Sequence, residues 1–209
     1  VVSAAASQEV IRRYFRYHWE RERGLCSEEA VRRVQSLMTR LGLSPKDRRV
    51  VEPARAAAAD GERRQKGNDG FYCGAALELP TGEIVTGTNS PLFHSASAAL
   101  INGVKALAGL PDYIHLLPAN IIESVTALKA GCLGSHSPSL NVQEVLVALG
   151  ISAASNPAAK AGVEMLPRLR GAQLHLTHEP GSGDESGLRK LGIDLTTDAR
   201  PTSQGYFLR

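Results

Sequence analysis

"GAALELPTGEIVTGTNSPLFHSASAALINGVKAL", residues 74–107 of a 209-residue chain, decides the fold class. Residues 71–79 read as a strand and residues 83–87 as its return. Between them Pro80-Thr81-Gly82 forms a turn, with Pro favouring its second position and Gly able to take positive φ. Residues 95–107 then predict a helix. Its Ala96, Ala98, Ala99, Gly103 and Ala106 leave little bulk on several sides, so it is expected to pack closely between two layers. A hairpin leading into a small-residue helix is the opening of an α/β domain.

Toward the N-terminus, residues 8–23 and 28–41 predict a helical hairpin. The second helix is the better marked. Ser27 caps it, Glu28 and Glu29 suit its positive end, and Gly42 stops it after a stripe that includes Val31, Val34 and Met38. Ser44-Pro45 opens a further short helix, since Pro is comfortable at the first helical position. Residues 60–70 are charged, contain glycine and show no periodicity. They imply a helical subdomain over 1–60, a mobile linker over 61–70 and an α/β domain over 71–209.

Toward the C-terminus, residues 113–117 predict a third strand. Helices follow at 119–130, 142–154 and 158–166, the middle one opened by Asn141 with Glu144 three residues on. A strand at 173–178, a helix at 185–191 and a strand at 193–197 complete the order. A sheet covered by helices on both faces accounts for it, a three-layer α/β/α sandwich with parallel crossovers after the hairpin.

At 43% hydrophobic and 22% charged residues the composition is that of a globular protein. No run of about 18 apolar residues occurs and the first residues lack the order of a secretion signal, so a cytoplasmic location is expected. The opening VVSAAASQEV lacks a methionine, which suggests a piece of a longer protein. Cys26, Cys73 and Cys132 fit neither a disulfide framework nor a zinc knuckle and are expected to be reduced and buried. Residues 1–66 carry 15 basic against 9 acidic side chains, while the remainder carries 9 against 12. Arginines such as Arg12, Arg13, Arg32 and Arg33 read as solvated helix faces. No aromatic or loop motif accompanies them, so nucleic acid is not an expected partner.

The predicted order is similar to the cytidine-deaminase-like sandwich, whose zinc chemistry has strict requirements. A His or Cys must be followed two residues later by Glu at the start of the helix after the hairpin, and a Pro-Cys-x-x-Cys must open the next helix. Here the first position reads His94-Ser95-Ala96, with alanine in place of the acid/base. The second reads HSPSLN over 136–141, without cysteine. His175 and His178, three apart on a strand, point to opposite faces and do not chelate together. No zinc is expected, and neither a His-Glu-x-x-His motif nor a Gly-x-x-x-x-Gly-Lys-Ser/Thr phosphate loop is present.

The stretches "SQEVIRRYFRY", "AALELPTGEIVTGTNSPLF", "LGSHSPSL", "EVLVALGISAASNPAAK", "LRGAQLH" and "LRKLGIDLT" occur in order along nearly the whole chain. Together they resemble the C-terminal half of the bacterial domain-of-unknown-function family eighteen-forty-six, also called uncharacterised protein family three-seventy-one. The resemblance implies a helical subdomain before a deaminase-like domain. It also implies an N-terminal α/β partner region, absent here, that carries a glycine-rich phosphate-loop-like segment. The family's polar patterns fall on Thr86, Gly87, Asn89, Ser90, Gly134 and Ser135, and on Asn156, His175 and Thr177. Departures occur at Thr88, Ser137 and Leu176, where the family pattern has lysine, asparagine and serine.

His175, near the end of an internal strand, is the acid/base candidate, set against the reading of a hydrogen-bonded core histidine. Asn89, Ser90, Ser135, Asn156 and Thr177 are the candidate ligand-binding residues, set against plain turn and cap roles. The leading functional expectation is a nucleotide-related site shared with the missing region. The alternative is a module that drives homo-oligomer assembly.

Overall fold

The computed structural model describes residues 3–135 and 137–201, so Val1, Val2, His136 and residues 202–209 lie outside the described residues. Helix α1 (Ala4–Glu22) and α2 (Glu28–Leu41) form the expected hairpin, and α2 has the bounds read from the sequence. Ser27 Oγ accepts the Ala30 N–H, and Gly42 takes φ 64° at the other end. A 3-10 turn (Pro45–Asp47) follows, then α3 (Val51–Arg63). The hairpin pairs β1 (Gly74–Glu78) with β2 (Ile84–Thr88), closed by a Gly82 N–H to Leu79 O bond of 2.8 Å with Gly82 at φ 83°. Then come α4 (Ser95–Leu107), α5 (Ala119–Cys132), α6 (Val142–Ser152) and α7 (Pro157–Met165). A second 3-10 turn (Leu166–Leu169), strand β3 (Gln173–Leu176), α8 (Ser182–Leu191) and β4 (Asp194–Thr197) complete the described elements.

The sheet order is β2-β1-β3-β4, with β1 antiparallel to both neighbours and β3 parallel to β4. Alternation along β1 divides its contacts. Ala75 and Leu77 join Ala99, Leu100 and Val104 of α4 in the main core, while Ala76 joins Val50 and Ala54 beside α3. Helix α1 packs on β4 and α3 on β1 and β2. Leu77, Leu100 and Leu174 are fully buried, each stabilising the fold by about 1.5–3 kcal/mol.

Two expectations are corrected. Residues 113–117 form no strand: Tyr113 is exposed, Leu116 and Leu117 turn into the core, and Lys105 Nζ pins the preceding turn by donating to Asp112 O at 2.6 Å. Among the described strands the parallel crossover expected after the hairpin occurs once, from β3 through α8 to β4, because β1 lies between β2 and β3 and opposes both. In addition, the segment after Ser44 holds a full helix, α3, whose run Ala56 to Ala59 shows no apolar stripe to betray it. Cys73 is buried as expected and Cys26 is half-buried, but Cys132 is exposed; all three are free.

The close approach of α3 to β1 depends on Gly74. A Cβ there would stand 2.1 Å from Ala54 O and 2.6 Å from Ala58 N, backbone atoms that cannot yield. Gly74→Ala is therefore expected to destabilise by about 3 kcal/mol in urea unfolding. Gly131→Ala, in a helix with nothing within 4 Å of the added carbon, is expected to be neutral or slightly stabilising.

Candidate functional site

At one end of the sheet, the loop before β1, the β2–α4 loop, residues 137–139 and the β3–α8 loop enclose a cavity of about 400 Å³. His94, the N-cap residue of α4, stands in its wall. Its backbone N–H donates to Leu140 O at 3.0 Å, which fixes the residue against the entry to α6. Its Nδ1 lies 2.6 Å from Asp184 Oδ2, and Asp184 Oδ1 accepts the Val142 N–H at 2.9 Å. Asp184 is 3% exposed. A carboxylate only accepts, so Nδ1 carries the proton of this bond, and Nε2 is the ring nitrogen left for another partner. Among the described residues no protein group binds that Nε2, and the side chain is 35% exposed.

A second imidazole stands in the same wall. Thr177 Oγ1 accepts the Gly74 N–H at 2.9 Å and lies 3.0 Å from His178 Nδ1. The hydroxyl thus ties the His178 ring to the start of β1. Burial, then the nearby Arg200 charge, holds His178 below the ordinary imidazole value and keeps it neutral at pH 7. One cavity thus brings two imidazoles, His94 and His178, into the same wall. Cys73 also lines it, but burial pushes that thiol up to about 12, so it is no thiolate nucleophile at neutral pH.

The residues singled out in the sequence are distributed differently. Asn89 lines the cavity, with its amide committed to the loop: Oδ1 accepts the Cys73 N–H at 2.7 Å and Nδ2 donates to Phe71 O at 3.0 Å. Ser90 Oγ accepts from Leu92 N and Phe93 N in a turn. Ser135 Oγ donates to Ser137 O, and Asn156 caps α7 while donating to His115 O. Thr177 orients His178.

His175 lines neither this cavity nor the one described below. It is fully buried, its Nδ1 is 2.9 Å from Thr196 Oγ1, its ring packs on Phe15 at 4.8 Å, and its Nε2 has no made hydrogen bond, Asp198 Oδ1 standing 3.5 Å away. In the sequence His94 stands at a metal-ligand position without its acid partner and otherwise reads as a surface or incidental residue. Asp184, 90 residues away, offered only the signal of an acid in a first helical turn. Among the described residues, no group of three or more His, Cys, Asp or Glu is placed to hold a metal ion.

A second cavity, of about 320 Å³, lies between α1, α8 and the outer edge of β4. Among the described residues no helix is long and apolar enough to cross a membrane.

A family model described as "Domain of unknown function DUF1846, C-terminal" matches residues 46–207. The UPF0371 protein of Clostridium tetani (strain Massachusetts / E88) is 40% identical over 207 residues, covering 99% of this chain and 41% of that protein. The UPF0371 protein of Clostridium botulinum (strain Langeland / NCTC 10281 / Type F) is 39% identical over 208 residues, with the same shares. UPF0371 protein CLL_A2797 of Clostridium botulinum (strain Eklund 17B / Type B) is 40% identical over 207 residues. The chain spans about two fifths of the length of these curated relatives. On the family model and on these identities alike, it belongs to the UPF0371 family and carries that family's DUF1846 C-terminal domain.

Proposed function

We propose that this chain supplies the acid–base wall of a small-molecule site, nucleotide-related and completed by the N-terminal region of the longer family protein, on a deaminase-like frame that works without zinc. The observation that carries the reading is the His94 imidazole, which lines the cavity and is fixed through Nδ1 by a buried aspartate. That arrangement is how a carboxylate sets an imidazole as general base. His94 Nε2 takes a proton from water or a substrate hydroxyl, while the His178 imidazole donates to the oxygen on which charge develops. The strand-turn-strand-helix order over residues 74–107 supports the frame. Asn89 shapes the rim, and Ser90, Ser135, Asn156 and His175 serve the framework.

The test is a thermal-shift scan of nucleosides and nucleotides on the full-length family protein carrying this sequence, as wild type, His94→Gln and Asp184→Asn. A ligand present at about a hundred times its Kd stabilises by about 2.7 kcal/mol, a shift of several degrees. The shift is expected to vanish in both variants. Identical profiles in all three proteins would sink the site.

A second reading, a module for homo-oligomer assembly, draws on exposed apolar side chains on neighbouring helices: Leu128 on α5, Leu133 just beyond it, and Val147 and Ile151 one turn apart on α6. It expects Val147→Glu with Ile151→Glu to lower the mass seen by light scattering. A monomer for the wild type removes it.

A further inference from the structure

We propose that the outer edge of β4 is a strand-accepting slot, filled in the full-length family protein by an extended segment from the region that precedes this chain. The ladder fixes which backbone groups are available. Asp194 N–H donates to Ala172 O at 2.8 Å and Asp198 N–H to Leu176 O at 2.9 Å, so Asp194, Thr196 and Asp198 present their backbone groups to β3. By the same alternation Leu195 and Thr197 turn their N–H and C=O groups outward. No described residue bonds them. Thr197 is only 6% exposed, so water reaches its outward groups poorly, and buried backbone groups are almost always paired.

The slot in front of this edge is the cavity of about 320 Å³, walled by Phe15 and Trp19 of α1 and by Glu185 and Arg189 of α8. Trp19 gives an independent pointer to an occupant: its indole Nε1 is buried and has no acceptor. An incoming strand would bring the carbonyl that this donor lacks, while its backbone pairs with Leu195 and Thr197 and its apolar side chains meet Phe15. Because α1 and α8 both rise beside the edge, the slot admits a single extended segment more readily than the edge of a second folded copy. The relatives contain the length required, since this chain covers only 41% of the first of them. The wall begins at Glu9, about 8 Å along α1 from its first residue, Ala4, so the N-terminal end of α1 lies beside the slot.

The test uses the full-length family protein carrying this C-terminal sequence, followed by amide hydrogen exchange. Leu195 and Thr197 are expected to exchange at least a hundredfold more slowly than unprotected amides. Leu195→Pro removes an N–H that the β3–β4 ladder does not use, and is expected to lower the melting temperature of the full-length protein by several degrees. Leu195→Val keeps the N–H and should leave it within about a degree. Exchange at the unprotected rate overturns the proposal. So does protection lost on dilution to monomer, which assigns the edge to a second copy, or protection lost when residues after Pro201 are deleted, which assigns it to the chain's own end.

Discussion

Replacing Arg48 with leucine is expected to cost about 4 kcal/mol, a large part of the 5–15 kcal/mol that holds a domain together. The side chain is fully buried and uses its whole fork. Nε donates to Thr196 Oγ1 at 2.9 Å, Nη1 to Gln173 Oε1 at 2.6 Å, and Nη2 to Asp194 O at 2.7 Å and Leu174 O at 3.4 Å. Through these bonds the segment between α2 and α3 is fastened to both β3 and β4. None of the acceptors is a carboxylate. Burial, reinforced by the charge of Arg12, lowers the guanidinium pKa to about 10, which still leaves it charged at neutral pH. Its stabilisation therefore rests on hydrogen bonds rather than on an ion pair.

Leucine removes the donor shared by Gln173, Thr196 and the two carbonyls, and each buried acceptor that loses its bond costs about 1–3 kcal/mol before the strands relax. Lysine retains the charge but offers one point donor in place of the planar fork, so Arg48→Lys is expected to lose about 3 kcal/mol. Urea unfolding of the two variants beside the wild type checks both figures. A loss below 1 kcal/mol for Arg48→Leu would show that the network is not what joins the helices to the sheet. The cycle with Gln173→Leu should be strongly non-additive, because the two residues share one bond.

The same arginine shows where the sequence stops being readable. Arg48 sits in the basic N-terminal stretch, and no residue near it in the chain marks it for burial. Its burial is decided by strands more than a hundred residues later. Features fixed within a few residues were legible: Pro80-Thr81-Gly82 closes the hairpin, Ser27 and Gly42 bound α2, and Asn141 with Glu144 opens α6 with the reciprocal bonds of a capping box, 3.1 and 2.9 Å. Residues 113–117 have strand-like composition but pair with no strand of the sheet, and pairing is not written in a strand's own residues. The candidate site divides the same way. Asn89 and Thr177 were visible as polar groups at strand ends, whereas the bond between His94 and Asp184 exists only because α4, α6 and α8 begin side by side.

Asp198→Asn is expected to destabilise by about 3 kcal/mol at pH 7 and to reshape the acid limb of the stability curve. Asp198 receives Arg55 through two bonds, Nη2 to Oδ1 at 2.7 Å and Nε to Oδ2 at 3.0 Å, and faces His175 Nε2 at 3.5 Å. Burial opposes the charge of Asp198, but contacts with His175 and Arg55 prevail and hold the carboxyl well below the usual carboxylate range. The unfolded chain therefore binds the proton first. The stabilisation is complete above an unfolded value near 3.9 and is lost as pH falls through the lower folded value.

His175 acts in the same direction at higher pH. Burial outweighs the attraction of Asp198 and holds its imidazole below the ordinary value, so its contribution is complete above about 6.5 and fades as pH drops. The wild type is expected to lose stability in two steps, one below about pH 6.5 and one below about pH 4. Asparagine removes the group that titrates in the lower step and the anion that favours protonated His175, so the lower step should shrink while the upper one persists or steepens. Urea midpoints from pH 3 to 8 separate the two steps. An unchanged lower step in Asp198→Asn would assign it to other carboxylates and remove Asp198 as the acid-sensitive tie between α3 and the end of β4.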